Sequence, residues 1–563
     1  MTEILKALGS GNFLVLTIAC MLAFHPCAAW ALASNNIPLD SPIYLYLEKL
    51  TGFGLVTSDV KGVKPFSKAE AARLVLEAEK NLSSFEGEGK PFAKGIISRI
   101  RELIPREMTL YSEPKMAPWF DLNPLAHARL RYVYLDGVPR NYSRVVLDPG
   151  HQSAFGFIGG DLRPLGPGPV THFGTEGTPL LENNEGIVYR RGHNAELRWA
   201  VEGFVASKVS LEVEPLLLNT PEGASDARKT SLRLNKGYLK LGGGGLELEV
   251  GRDANWFGPG YRGTVTYTNN AKNFDQVKLS SPEPLDVKWI KKYLGDFKYS
   301  LVVSRFDETG SGETIRRPYF MGIKMALKPK PWFEIGGNFV RQEGGPGHVG
   351  KKPSFIDFIF GGGDTDVSNT IAGIDLRFRI PWLRNTEIYG EYAGEDSALF
   401  WPFVESYVAG FYLPRLTDDG RNDLRFEFFY GNQILYVDHN FPVSGYTYHA
   451  LPVGHSQGGA TIDFFLRYSH WFSVRNNLAL EYSHTERGNS GRVTVNSSGE
   501  FDPNGVRQCV ERKNAVRAIW SLPLYGNFDT KLMYGWEKIN NYNLVGGANR
   551  TNQVLTVDLS YKY

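Results

Sequence analysis

Ile374-Asp375-Leu376-Arg377-Phe378-Arg379-Ile380 alternates apolar and charged side chains without a slip, and this period of two decides the fold. Successive side chains of a strand point to opposite faces, so the stretch puts Asp375, Arg377 and Arg379 on one side of a sheet and its apolar residues on the other. Leu424-Arg425-Phe426-Glu427-Phe428 repeats the pattern, and Leu478-Ala479-Leu480-Glu481-Tyr482-Ser483 keeps it with a small residue on the second face. Similar stretches occur near 127–135, 195–203, 208–218, 230–241, 245–251, 297–305, 318–327, 332–341, 386–393, 404–413, 460–470, 514–522, 528–536 and 553–563. Together they give about 17 to 18 candidate strands, several of about 9 to 12 residues, the reach needed for a tilted membrane strand. Gly242 to Gly245, Gly361 to Asp364, Thr417 to Arg421 and Thr485 to Gly491 supply turn chemistry between them.

A soluble sandwich also alternates, but its strands usually run only ~5–6 residues. Here Asp375, Arg377, Arg379, Glu387 and Glu391 share one face of long strands, and aromatics gather toward strand ends, as at Trp332-Phe333, Phe400-Trp401 and Trp471-Phe472. The chain closes on Leu555, Val557, Leu559, Tyr561 and Tyr563 at every second place, an ending that resembles the terminal strand by which outer-membrane barrels are recognised for insertion. Fold class is therefore mainly β: a transmembrane antiparallel barrel of about 18 strands with a small N-terminal helical bundle.

Composition agrees. Of 563 residues 42% are hydrophobic and 22% charged, with 62 Lys+Arg against 60 Asp+Glu, a balance that suits neither a nucleic-acid binder nor a disordered tail. Mean hydropathy is −0.27, and past residue 33 no apolar run approaches the ~20 residues of a spanning helix. That excludes a helical membrane protein but not a barrel, which also satisfies every backbone group in lipid. The 61 glycines and the 13% aromatic fraction fit a barrel's turns and interfacial girdles.

Lys6 ahead of the apolar run Phe13 to Phe24, with Ala31-Leu32-Ala33 as an A-x-A site, reads as an export signal over 1–33. Cys20 and Cys27 leave with it. Cys509 alone remains, and one cysteine makes neither an internal disulfide nor a thiolate metal cage.

Residues 34–110 form the helical part. Ile43, Leu45, Leu47, Leu50 and Phe53 loosely match one helix face, and Ser67 with Glu70 forms a capping box ahead of Ala71, Leu74, Val75 and Ala78. Lys94 to Leu103 repeats the apolar face until Pro105 stops it. Three short helices bury little core alone, so the bundle is expected to dock on the barrel of 111–563.

Catalytic motifs fail on context. Gly454-His455-Ser456-Gln457-Gly458 spells the G-x-S-x-G nucleophile elbow, but a β-like run follows Ser456 where the elbow needs a helix. Gly258-Pro259-Gly260-Tyr261-Arg262-Gly263 spells G-x-G-x-x-G and is likewise followed by a strand-like segment, not the helix that would meet a pyrophosphate. No H-E-x-x-H occurs. Glu387 and Glu391 could serve a glycosidase, and read better as interior charges balanced by arginines. No cofactor, metal or catalytic residue is expected.

The stretch Gly251-Arg252-Asp253-Ala254-Asn255-Trp256-Phe257-Gly258-Pro259-Gly260, followed by Asn269-Asn270-Ala271, resembles the signature of the capsule assembly Wzi family. Ser41-Pro42-Ile43-Tyr44 to Leu50, Gly52 to Leu55, Pro65-Phe66-Ser67 and Glu70-Ala71 are similar to that family's helical region. The chain departs from the pattern in carrying Phe257 between Trp256 and Gly258. The resemblance implies an outer-membrane barrel with a periplasmic bundle against its inner end. It also implies a lectin-like task, anchoring capsular polysaccharide or exopolysaccharide at the Gram-negative cell surface without turning it over. Partners would be that polymer, outer-membrane lipid and the barrel-insertion machinery. Arg252, Trp256, Tyr261 and Arg262 are the candidate binding residues, because aromatic faces pack on sugar C–H surfaces and Arg binds hydroxyls and carboxylates. Gly251, Gly258, Pro259, Gly260, Asn270 and Ala271 would hold the motif's shape. The loops Glu343 to Asp364 and Tyr430 to Gly459 are equally eligible as surface sites. A diffusion porin shares the barrel, and a hydrolase using Ser456 is the third reading.

Overall fold

Alternation becomes a closed wall. The computed structural model describes residues 32–137, 139, 141–148, 168–222, 228–243, 245–307, 317–346, 368–398, 400–438, 441 and 444–562. Residues 1–31 of the expected export signal, the loop residues 347–364 and the terminal Tyr563 lie outside the described residues. Eighteen antiparallel strands run from Phe120–Asp136 to Asn549–Tyr561, and the last pairs back on the first, with Leu130 opposite Leu559. Closure leaves no unpaired edge, the condition a sheet must meet in hydrocarbon.

The strand Ser368–Ile380 shows which way the wall faces. Asp375 and Arg377 are 2% and 4% exposed, whereas Leu376 and Phe378 are 37% and 39% exposed. Charges inside and apolar side chains outside is the inverse of a water-soluble sandwich. Trp332, Trp382, Phe472, Tyr525 and Phe528 stand exposed at or beside the short-turn rim, an aromatic girdle.

One strand, Phe274–Ser280, escapes the sequence pattern. Phe274 is buried and Asp275 points outward, which inverts the usual sides at its start and blurs the alternation.

Much of the interior is occupied by side chains, and most of its charges pair with one another. Arg377 donates to Glu334 (2.7 Å), Asp59 (3.0 Å) and Glu387 (3.0 Å), while Lys61 reaches Glu387 at 2.8 Å and Lys328 reaches Asp59 at 2.7 Å. Buried charges persist only when paired, so this network fixes Asp59 to Lys61 against the wall. Glu387 is thereby an interior charge balanced by an arginine, the reading preferred over a glycosidase carboxylate.

Four helices of the N-terminal part stand at the short-turn end: α1 (Ile43–Gly52), α2 (Lys68–Leu82), α3 (Lys90–Leu103) and α4 (Pro105–Ser112). Short turns mark the periplasmic side of such barrels. Pro105 ends α3 as expected but also opens a fourth helix, because its missing N–H costs nothing at a first helical position. The capping box is half made. Ser67 Oγ accepts from the Glu70 N–H at 3.0 Å, but the Glu70 carboxylate is taken by both Arg73 nitrogens instead of turning back.

Docking is polar at its centre. The Lys49 ammonium, fully buried, donates to Pro414 O (2.8 Å) and Gly420 O (2.9 Å) in the turn between two wall strands and pairs with Asp423 at 2.8 Å. Tyr46 and Phe92 pack on Trp471 around it, and Arg99 pairs with Asp529 at 2.8 Å. From α1 the chain enters the lumen, where Val63–Lys64 pairs antiparallel with Trp256–Phe257.

Candidate functional site

The connection between Leu246–Asp253 and Phe274–Ser280 leaves the wall and folds into the lumen, and it carries the motif. Gly251 sits at φ +142° in the last turn of strand, where a Cβ would press into Gly237 O and the Tyr238 backbone of the next strand. Only glycine allows that approach. Gly258, at φ +131°, donates its N–H to Gly62 O at 2.9 Å, so the turn is bonded to the segment that rises from the bundle. Phe257 is fully buried, edge-on to Tyr267 at 5.3 Å, and acts as a core residue of the lumenal plug.

Beyond Pro259 and Gly260 the turn is held by one carboxylate. Glu427 accepts the N–H of Tyr261 at 2.7 Å, the N–H of Arg262 at 2.9 Å and the Tyr389 hydroxyl at 2.8 Å. The Tyr261 ring lies 4.2 Å from the Arg425 guanidinium and stacks on Phe465 with centroids 5.9 Å apart. Arg262 donates from Nε to Asp463 at 2.7 Å. The Trp256 ring lies 5.6 Å from Lys64 Nζ, and its indole N–H is buried without an acceptor. Asn270 donates to Pro452 O at 3.0 Å and accepts the Gly186 N–H on its backbone at 3.2 Å, and Ala271 is buried beside it. This pair locks three inward-folded loops together.

Trp256, Tyr261 and Arg262 all line one lumenal cavity of 380 Å³. Its other walls come from α1 and the residues before it, Glu182 and Asn183 of an inward loop, and the inner faces of the last five strands with Arg129 of the first. Arg252 stands apart. Its side chain points to the outer face and binds Asp275, directly opposite in register, through two 2.8 Å bonds. Burial pushes Lys64, which lines the cavity, down to about 8. Glu182 would be raised by burial, but Arg517 and Arg262 hold it well below the usual carboxylate range.

Sequence reasoning does not reach Lys64, Phe465, Arg467 or Glu427 as parts of this site. Lys64 lies between two helices with no local pattern, and the others are ordinary inward residues of strands. The loop Tyr430 to Gly459 is largely turned inward: Tyr436, Tyr446, Val453 and His455 are buried, and among the described residues its exposed tip is His449-Ala450.

Ser456 has no catalytic setting. It is 3% exposed, and its Oγ accepts from Gln457 Nε2 at 3.3 Å. The neighbouring His455 ring lies flat on Phe429 at 3.7 Å, and its Nδ1 accepts the Gln457 N–H. A strand, Thr461–Ser473, follows, so the turn lacks the helix that would expose a nucleophile. Glu391 accepts from Val265 N at 2.9 Å and from Asn338 at 3.2 Å, a brace for the plug.

A family model described as capsule assembly protein Wzi matches residues 163–554. Among solved structures, Escherichia coli Wzi, an outer membrane protein involved in group 1 capsule assembly and a carbohydrate-binding β-barrel, superposes with a TM-score of 0.62 at 14% identity, over 95% of this chain and 99% of that one. OprD of Pseudomonas aeruginosa aligns at TM-score 0.38 and 9% identity, over 80% of this chain and 97% of that one. OpdQ of the same organism aligns at 0.38 and 10%, over 77% and 96%. No curated protein sequence matches this chain.

Proposed function

Because this chain belongs to the capsule assembly protein Wzi family, we propose that it is a non-enzymatic, lectin-like protein that anchors capsular polysaccharide or exopolysaccharide at the outer membrane of a Gram-negative cell. The observation that carries the reading is the convergence of Trp256, Tyr261 and Arg262 on one lumenal cavity. Aromatic faces pack on the C–H surfaces of sugar rings, and the Arg262 guanidinium, held by Asp463 at 2.7 Å and Glu182 at 3.5 Å, leaves its Nη1 side to hydroxyls or carboxylates. The carbohydrate binding ascribed to the Escherichia coli barrel supports the same assignment. In this reading residues 1–33 are removed on export, 34–110 form the periplasmic bundle, 111–563 form the barrel in outer-membrane lipid, and the insertion machinery reads the last strand.

A diffusion porin needs a wet lumen. Here inward residues such as Lys324, Asn338 and Glu249 are fully buried, and four inward-folded segments meet at the centre, which favours a holding role over conduction. Nothing around Ser456 favours the hydrolase. Deleting the gene tests the anchor: polymer synthesis should continue while loose polysaccharide appears in the medium. Equal cell-bound polymer in mutant and parent would refute it, and stepwise conductance of the purified protein in planar bilayers would favour the porin.

A further inference from the structure

The connection between the strands Phe274–Ser280 and Asp296–Arg305 is the longest at the short-turn end. Among the described residues it is also the one strand-to-strand turn there that holds a helix, α5 (Lys288–Tyr293). Leu285 donates its N–H to Phe297 O at 2.9 Å, and Leu285 and Ile290 are buried, so one side of the segment is seated on the rim. The other sides are bare. Trp289, Tyr293 and Leu294 are 58%, 70% and 40% exposed, and Lys288, Lys291 and Lys292 stand exposed with them. Trp289 and Tyr293, four residues apart, share one helix face, and Lys288 and Lys292 share the face beside it, with Lys292 Nζ 5.1 Å from the Tyr293 ring. A Cβ at Gly295 would press into Lys328 O, which places the helix end beside the turn that carries the exposed Lys330 and Trp332. Lys291 reaches Asp286 only at 3.8 Å, with both groups exposed. Among the described residues Lys288, Lys292 and Lys330 have no carboxylate in ion-pair range.

We infer that α5 lies in the headgroup layer of the periplasmic leaflet and holds an anionic phospholipid, its phosphate met by Lys288, Lys292 and Lys330 and its upper chains covered by Trp289, Tyr293 and Trp332. Phe297 and Tyr299, the first outward residues of the strand that follows, and the exposed Leu239 and Leu241 nearby carry the hydrocarbon-facing wall down to this helix. Tryptophan and tyrosine concentrate where hydrocarbon meets headgroups, and lysines lay their stems along apolar surface while their ammonium groups reach the polar layer. Three lysines without carboxylates give the ledge a net positive charge. That charge draws an anionic headgroup, whereas a zwitterionic one carries no net charge to draw. An acidic periplasmic protein would match the lysines, but the exposed aromatics continue the apolar belt of the wall, which favours lipid. The same connection carries Glu283, which accepts from the Tyr111 hydroxyl of α4 at 3.0 Å, so bundle and leaflet grip one segment. The inference is independent of any sugar the lumen binds.

The test reads Trp289 in the full chain reconstituted into phosphatidylcholine bilayers. A minor fraction of the lipid is brominated, either as phosphatidylglycerol or as phosphatidylcholine, bromine being a short-range quencher of tryptophan fluorescence. The quenching lost in Trp289→Phe belongs to the helix. At about 0.1 M salt brominated phosphatidylglycerol should quench that component at least about threefold more strongly than brominated phosphatidylcholine. The excess should shrink at about 1 M salt, where the screening length falls from about 10 Å to about 3 Å. It should vanish in the triple variant Lys288→Gln, Lys292→Gln, Lys330→Gln, whose positions are all exposed and whose unchanged β ellipticity shows that the barrel is intact. Equal quenching by the two lipids would overturn the inference, as would an excess that survives the triple variant. Quenching by neither lipid would also overturn it, leaving the ledge to water or to an acidic protein.

Discussion

Replacing Asp59 by Ala should release the lumenal segment without opening the barrel. The Asp59 carboxylate is 2% exposed, with one oxygen 2.7 Å from Lys328 Nζ and the other 3.0 Å from Arg377 Nη1. Arg377 keeps Glu334 and Glu387, but Lys328 keeps only the Asp59 backbone oxygen at 2.6 Å. Removing one partner of a buried pair costs ~3–5 kcal/mol, because the remaining charge stays desolvated. Local opening should then be more populated by roughly 10²- to 4 × 10³-fold, at about 1.4 kcal/mol per factor of ten. Tryptic cleavage after Lys61, which is buried in the parent, reads that opening, since cleavage follows the open population when reclosing is fast. Lys328→Met added to Asp59→Ala should restore most of the resistance, because the orphaned charge is gone and an apolar chain of similar length replaces it. Cleavage within about threefold of the parent in the single variant, or a double variant as labile as the single, would refute the reasoning.

Gly258→Ala should destabilise the plug by ~1–3 kcal/mol, since its φ of +131° disfavours any side chain and the Cβ would lie 2.9 Å from Thr264 Cγ2; a lower urea midpoint for protection of Lys61 checks it. Arg252→Ala should leave glycan binding unchanged and shift stability by less than ~1 kcal/mol, because its Asp275 partner is 62% exposed; lost binding would return Arg252 to the site. Bundle docking should weaken on alkalinisation. Glu283, in the connection after Phe274–Ser280, is pushed up to about 7 by burial and then by Glu70, with Arg73, Lys298 and the Tyr111 hydroxyl also facing it. A raised folded-state value means its contribution is whole below about 4.5 and is lost as pH rises through about 7. Helical ellipticity melts run from pH 4 to 8 should show this loss in the parent and not in Glu283→Gln.

Strand existence was legible because alternation is a local property. Whether Arg377 faces in or out follows from its neighbours Leu376 and Phe378, and hydrocarbon accepts only one answer. Seventeen of the strands announce themselves this way, whereas Phe274–Ser280 does not, because its burial is set by the plug it borders. The motif residues are conspicuous in sequence, yet their roles divide three-dimensionally. Trp256, Tyr261 and Arg262 share a cavity, while Arg252, one residue past Gly251, lands on the opposite face. The same parity rule that reveals the strand would place Arg252 outside once the strand's inward register is known. The G-x-S-x-G run misleads because spelling carries no orientation: His455 is spent on Phe429 and nothing activates Ser456.

By itself the sequence determined a closed barrel, its polar interior and a helical segment at one end, since each rests on periodicities of two or three to four residues that neighbours along the chain impose. Only the tertiary structure decided that Val63–Lys64 would climb the lumen to pair with Trp256–Phe257, and that Lys64 and Lys531 would face one cavity with no carboxylate among the described residues in ion-pair range. Those outcomes depend on which charges are left over after every other buried pair has formed, a sum over the whole interior that no local pattern carries.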